Sequence, residues 1–373
     1  GKRTNEKAGL GDWAANPERL KNGITGLAQR IEDLGMKFGL WCEPEMVNKD
    51  SDLYREHPDW IIQTPNRRTS HGRFQYVLDF SRKEVVDRIY EMMAKILSEA
   101  KVSYIKWDMN RSITECYSAK LPADRQGEVY HRYILGVYDL YERLTSRFPE
   151  VLFESCSSGG GRFDPGMLYY APQGWTSDDS DAVERIKIQY GTSYCYPISS
   201  MGSHVSVIPN HQINRNTPLY TRANVAYFGT FGYELDLNAL TEEEQEEVKE
   251  QVKFMKQYRR LFQFGTFYRL RSPFDHNISA WMVVSEDKKT AIVGWYRVLN
   301  GINMPYTRLR LHGLDESILY TVSGDKSMHY GDELMHLGMI TTDASSGQDE
   351  ENMRQDYDSR LYILKAVEGE NLS

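Results

Sequence analysis

Two carboxylates at different strand ends are the residues of this 373-residue sequence best placed to do chemistry. Asp108 closes the apolar run Ser103-Tyr-Ile-Lys-Trp-Asp108, two residues after Lys106 and two before Asn110. Side chains alternate along a strand, so Lys106, Asp108 and Asn110 are expected to face the same way. A lysine beside an aspartate holds it ionised, as a nucleophilic carboxylate requires. The competing expectation is a buried Lys106–Asp108 ion pair with a structural role alone. Asp178 stands in Trp175-Thr-Ser-Asp-Asp-Ser-Asp181, three carboxylates within four residues. Asp181 reads as the N-cap of a helix starting near Ala182. That leaves Asp178, nearest the strand end, as the better candidate for chemistry. One carboxylate held ionised and a second kept protonated form the apparatus of glycoside hydrolysis.

The segment Ser155-Cys-Ser-Ser-Gly-Gly-Gly-Arg162 follows another strand-like run. Consecutive glycines permit positive φ and let a backbone approach a ligand closely. A phosphate loop would need a G-K-[ST] ending, which is absent. Cys156 has no base beside it and reads as a packed thiol. Glu43 and Glu45, in Trp41-Cys-Glu-Pro-Glu-Met46, could hold a cation at a strand end. Neither they nor His57, His71, His204 and His211 show the spacing of a metal motif, so no metal or other cofactor is expected.

The elements that must position these groups alternate between two periods. Leu20, Ile24, Leu27, Ile31 and Leu34 recur at helical spacing, Gly35 ends that helix, and 37–41 reads as a buried strand. Ser81 is expected to cap a second helix carrying Val85, Ile89, Met92, Met93 and Ile96 on one face. Strands follow at 103–108, 150–154, 174–177, 194–199 and 231–236, with a helix over 127–147. A last long helix starts at the capping box Thr241-x-x-Glu244 and runs to about Phe264. Such alternation means a parallel sheet, and polar residues clustered just after the strands fit the C-terminal face of an α/β, (β/α)8 TIM-type barrel. Only about six strands are legible where a barrel needs eight, and the missing two are expected upstream of residue 1. From 266 onward short strand-like runs alternate with Asn, Gly, Asp and Pro turns, which predicts an antiparallel β-sandwich domain. The domains expected are therefore 1–265 and 266–373, with 341–355 as a polar loop.

Composition narrows the function classes. Lys+Arg 45 against Asp+Glu 53 gives a net charge of −8 with no basic block, which argues against a nucleic-acid partner. The apolar runs, such as Ile292-Val-Gly-Trp295, are too short to span a bilayer. Four scattered cysteines (Cys42, Cys116, Cys156, Cys195) make neither a disulfide framework nor a zinc site. The 25 tyrosines against 13 phenylalanines suit a partly wet pocket such as one for sugars, but from composition alone an ordinary large core and surface account for them better.

Four motifs occur in order: Gly39-Leu-Trp-Cys-Glu-Pro-Glu-Met-Val-Asn48, Tyr104-Ile-Lys-Trp-Asp-Met-Asn-Arg111, Ser155-Cys-Ser-Ser-Gly-Gly-Gly-Arg-Phe-Asp164 and Trp175-Thr-Ser-Asp-Asp-Ser-Asp-Ala182. Together they closely resemble the bacterial α-galactosidases of glycoside hydrolase family 36, over nearly the whole chain. The resemblance implies that Asp108 is the nucleophile, forming a covalent galactosyl-enzyme, and that Asp178 is the acid/base. It implies further that Trp41, Arg73, Lys106, Asn110, Cys156, Ser158 and Trp175 line the galactose pocket. Lys106 and Asn110 would bond sugar hydroxyls, and the two tryptophans would supply apolar walls. The activity implied is retaining exo-hydrolysis of raffinose-type oligosaccharides and melibiose, without a cofactor, in a protein that forms homo-oligomers (tetramers in the family).

One departure from the family is large. Its members carry an N-terminal β-sandwich, a first barrel strand and a second strand ending in Asp-Asp-Gly-Trp, none of which is in this sequence. The chain is thus expected to be truncated and to hold barrel strands three to eight plus the C-terminal β domain. Rival readings are a galactosyl transferase of the raffinose- or stachyose-synthase kind, an α-N-acetylgalactosaminidase, and a non-catalytic sugar-binding fragment. Asn110-Arg-Ser112 is a formal glycosylation acceptor inside the expected pocket, which favours a cytoplasmic location.

Overall fold

Ile24, Leu27 and Ile31 lie on one face of α1 (Gly23–Asp33) and pack against the core. Gly35, at φ 74°, closes the helix by donating to the Glu32 carbonyl at 2.8 Å. Leu34 is the helix C-cap and is 72% exposed, so it leaves the buried stripe to which the period assigns it. The computed structural model describes residues 3–302, 307–341 and 355–367. It divides into two compact units, Gly1–Trp175 and Thr176–Ser373. Most of the expected loop at 341–355 lies outside the described residues.

In Gly1–Trp175 the strands are β1 (Gly39–Cys42), β2 (Met46–Val47), β3 (Tyr76–Val77), β4 (Tyr104–Trp107), β5 (Leu152–Ser155) and β6 (Gln173–Trp175). β1 pairs in parallel with β4, β4 with β5, and β5 with β6; β2 and β3 form a separate antiparallel pair. The helices after α1 are α2 (Asp52–Glu56), α3 (Lys83–Glu99), α4 (Val129–Arg147) and α5 (Pro165–Tyr170). Ile105 and Phe153 are buried, and Trp107 stacks on Tyr141 of α4 with centroids 4.0 Å apart. The alternate residues form a row, Trp41, Lys106, Glu154 and Gln173, aligned across four strands. The cap of α3 is Arg82 rather than Ser81. Ser81 instead donates its hydroxyl to Asp79 at 2.5 Å, an acceptor it shares with Ser118.

In Thr176–Ser373, α6 (Ala182–Thr192) starts at its N-cap Asp181, whose carboxylate accepts from the N–H groups of Val183 and Glu184. No strand forms at 194–199. The N–H groups of Tyr194, Cys195 and Tyr196 close turns back onto Gly191 and Thr192, and Pro197 has none to give. The strand comes later, as β7 (Met201–Ser206), which pairs in parallel with β8 (Thr230–Glu234). Between them lies α7 (Leu219–Ala226), and α8 (Glu242–Phe264) follows with both halves of the Thr241–Glu244 capping box formed. Among the described residues no helix is long and apolar enough to cross a membrane.

The C-terminal strands are β9 (Thr266–Arg271), β10 (Ile278–Val284), β11 (Thr290–Arg297), β12 (Arg308–Leu309), β13 (Leu319–Val322), β14 (Met328–Tyr330), β15 (Met339–Ile340) and β16 (Asp358–Ala366), with α9 (Gly331–His336) before β15. Six form an antiparallel sheet in the order β14-β13-β16-β11-β10-β9, and β12 pairs with β15. Every residue of β10 is buried because both faces are covered. Ala280 and Met282 pack with Leu309, Leu311 and Leu334, while Trp281 meets Phe228 beside α7 at 5.5 Å.

A histidine staples one edge of this sheet. The ring nitrogens of His329 lie 2.9 Å from Glu333 Oε1 and 3.0 Å from Asp325 Oδ2. Partial burial opposes the charged ring, but the two carboxylates outweigh it and hold the His329 pKa above its ordinary value. A raised folded-state pKa contributes stability that is complete below the unfolded value of about 6.5 and is lost as pH rises through the folded one. The stability difference between the chain and its His329→Ala variant should thus be largest near about pH 5.5 and shrink toward about pH 9. Urea midpoints at both pH values check this, and a difference that grew with pH would contradict it.

Candidate active site

Asp108 follows directly on β4, and its backbone N–H donates to the Cys42 carbonyl at 2.8 Å, which ties it to the end of β1. The residue is 6% exposed. Its Oδ2 accepts from the Trp41 indole N–H at 3.1 Å and from Asn110 Nδ2 at 2.6 Å, and its Oδ1 accepts from the Met109 N–H at 2.8 Å. Three donors on three different residues leave this carboxylate little rotational freedom. The Cys156 thiol also faces Asp108; burial and the neighbouring carboxylate both push its pKa up, so it remains a thiol.

Lys106 departs from expectation. Its Nζ lies 3.2 Å from Glu154 Oε1 and 4.4 Å from the centroid of the Trp175 ring. The ion pair is therefore Lys106–Glu154, across the sheet rather than along the strand, because the register puts these two residues opposite each other. Glu154 is held on its far side by the hydroxyl of Tyr104 and by Gln173 Nε2, the latter at 2.9 Å.

The glycine-rich loop is built as a run of tight turns, with Ser157 N–H donating to the Gly159 carbonyl at 2.9 Å. Of its three glycines only Gly159 has positive φ, at 85°, and Ser158 adopts 47° without being glycine. Left-handed backbone at a serine costs on the order of 1 kcal/mol and marks a conformation imposed by its surroundings. Ser158 Oγ, exposed, donates to Asn110 Oδ1 at 3.3 Å. Arg73 also holds left-handed backbone, at φ 51°, and its charge acts on Glu43.

Glu43 and Gln75 escaped the reading of the sequence as a pocket. Glu43 is fully buried, accepts from Asn110 Nδ2 at 2.8 Å and takes Gln75 Nε2 on both oxygens, at 3.2 and 3.0 Å. Burial raises its pKa, opposed by the Asn110 hydrogen bond. Its position at a strand end was the available signal; Gln75 has none, since only folding brings it there. Glu45 binds Arg162 with both oxygens at 2.9 and 3.0 Å.

The structure thus gathers Trp41, Asp108, Asn110 and Ser158 into one hydrogen-bonded group, sets the Cys156 thiol beside Asp108 and pairs Lys106 with Trp175. Asp178 belongs to the second unit, exposed, with its carbonyl accepting from Gln212 Nε2 at 2.9 Å. Asn210 braces the same loop: its Oδ1 accepts from the Gln212 N–H at 2.9 Å and its Nδ2 donates to Ser180 Oγ at 3.3 Å.

Parallel strands with acidic and aromatic side chains clustered at their C-terminal ends are the layout of a (β/α)8-barrel site. The melibiase family model matches residues 1–265, and that of the glycosyl hydrolase family 36 C-terminal domain matches residues 278–364. The chain is 53% identical to alpha-galactosidase AgaA of Geobacillus stearothermophilus over 99% of its own length and 49% of that protein's. It is 47% identical to alpha-galactosidase Mel36A of Lactobacillus acidophilus over 98% and 49%. The crystal structure of AgaA aligns with a TM-score of 0.94 at 53% identity, over 98% of this chain and 50% of that one. A variant of AgaA solved in complex with raffinose also gives 0.94, at 52% identity over 98% and 50%. The chain belongs to glycoside hydrolase family 36, and its fold is a partial (β/α)8 barrel followed by an antiparallel β domain. It spans about half the length of the curated relatives it matches.

Proposed function

We propose that this protein is a retaining exo-α-galactosidase that removes terminal galactose from raffinose-type oligosaccharides and melibiose. The observation that carries the reading is the Asp108 carboxylate, fixed by three donors, the Trp41 indole among them, in a family 36 chain. Asp108 attacks the anomeric carbon as the glycosidic bond breaks, giving a galactosyl ester. Asp178 protonates the departing oxygen and then takes a proton from the water that cleaves the ester. Trp41 and Trp175 are apolar walls, and Lys106, Arg73, Cys156 and Ser158 contact the sugar. The raffinose and stachyose bound in the AgaA structures support this substrate class. The family-model boundaries support the division into 1–265 and 266–373. We place the protein in the cytoplasm as a homo-oligomer.

Release of galactose from raffinose, followed by NMR, tests the reading: α-galactose must be the first product, and β-galactose would refute retention. Asp178→Ala should lower turnover of raffinose about 10²–10⁴-fold. It should affect the first step with p-nitrophenyl α-galactoside far less, because nitrophenolate departs without a proton. Equal losses on both substrates would remove Asp178 from the acid role.

A further inference from the structure

The proposed chemistry makes no use of Glu43, yet its surroundings are more ordered than a buried structural acid requires. Asn110 Nδ2 donates to Asp108 Oδ2 at 2.6 Å and to Glu43 Oε1 at 2.8 Å. A carboxamide nitrogen carries two hydrogens and its oxygen none. The two carboxylates therefore use both hydrogens and turn the amide oxygen the other way, toward Ser158 Oγ at 3.3 Å. A flipped amide would set an oxygen against two carboxylates within hydrogen-bond distance. Glu43 is itself clamped by Gln75 Nε2 on both oxygens.

We propose that Glu43 is a positioning residue for the nucleophile: by holding the Asn110 amide it keeps one N–H on Asp108 Oδ2 and presents the amide oxygen, an acceptor, to the sugar. The inference rests on the retaining mechanism above. It also alters what Asn110 offers a substrate, since both of its hydrogens are already engaged. A sugar hydroxyl can donate to Asn110 but cannot accept from it.

Position and charge can be separated by substitution. Glu43→Gln keeps an oxygen for Asn110 and turns its own N–H groups toward Gln75. The buried Gln75 Oε1, which has no hydrogen-bond partner among the described residues, can then accept after that carboxamide turns over. Glu43→Asp keeps the charge but withdraws it by one methylene. Glu43→Leu removes the acceptor altogether.

Steady-state kinetics of the full chain on p-nitrophenyl α-galactoside test the proposal. Glu43→Leu and Glu43→Asp should lose about tenfold to a hundredfold in kcat with KM within about threefold, the scale of a small misplacement of a reacting group. Glu43→Gln should stay within about fivefold of the parent in kcat. The opposite order, with Asp retaining activity and Gln losing it, would mean that charge and not position matters, and would overturn the proposal. So would unchanged kcat in Glu43→Asp, or losses that only follow the unfolding midpoint. Should Glu43→Leu fail to fold, the Asp and Gln pair still decides. No turnover by the unsubstituted chain overturns the reading of this chain as an enzyme by itself, and shows before any variant is compared.

Discussion

Asp108→Asn is expected to reduce turnover of p-nitrophenyl α-galactoside by about a thousandfold or more, the scale seen when a covalent nucleophile is removed. Asparagine has the same shape but cannot form the galactosyl ester. It also fits the donor set badly. Asp108 accepts on both oxygens, from Trp41 and Asn110 on one and from Met109 on the other. An amide nitrogen at either position faces an N–H, so a stability loss of about 1–3 kcal/mol should accompany the kinetic one. Unfolding curves separate the two effects, because a chain that loses this much stability still remains folded in the assay. A sharper version uses Asp108→Gly with azide. The small anion should enter the vacated space, attack the anomeric carbon and leave β-galactosyl azide. Restored cleavage with an α-product, or activity retained by Asp108→Asn without azide, would take the nucleophile's role from Asp108.

The largest stability effect should come from Glu45→Ala. Glu45 has no exposed surface, and its carboxylate accepts from Arg162, from the Trp107 indole at 2.8 Å and from the Tyr133 hydroxyl. Removing one partner of a buried ion pair leaves the other charge uncompensated, at a cost of about 3–5 kcal/mol. Here an indole N–H and a phenol also lose their acceptor. Arg162 closes the glycine-rich loop, so that loop should loosen as well. Urea unfolding of parent and variant measures the effect, and a loss below about 1 kcal/mol would show that the cluster does not bear on stability. Glu45→Gln, which keeps the shape and the acceptor for Trp107, should fall between the two.

Local signals were legible and distant ones were not. The capping box at Thr241, the Asp181 N-cap and the strand that leads into Asp108 each depend on a few consecutive residues, and each stands where the sequence places it to within a residue. The strand expected at 194–199 failed because turn bonds running back into α6 are invisible in a list of apolar residues. Strands as short as β14 and β15 have too few residues to show a period. At the site, residue types were readable and partners were not. The sequence sets Lys106 two residues from Asp108, but Glu154 claims it from the adjacent strand. Glu43 was recognisable as a strand-end acid, but its link to Asp108 runs through Asn110 and depends on folding to exist.

The row formed by Trp41, Lys106, Glu154 and Gln173 has a consequence for how such a chain can change. Its members come from four strands and share only their height in the sheet, so this face, the wall of the proposed pocket, is written in strand register. Loops around such a wall can lengthen or shorten without moving it. A single residue inserted early in β4 cannot be absorbed in that way. It would turn Lys106 and Tyr104 toward the helices and bring Ile105 and Trp107 to the face that Lys106 now occupies. Variation in this chain should therefore be permissive in the connections and abrupt in the strands, so that one insertion can erase the pocket while leaving the composition of the protein almost untouched.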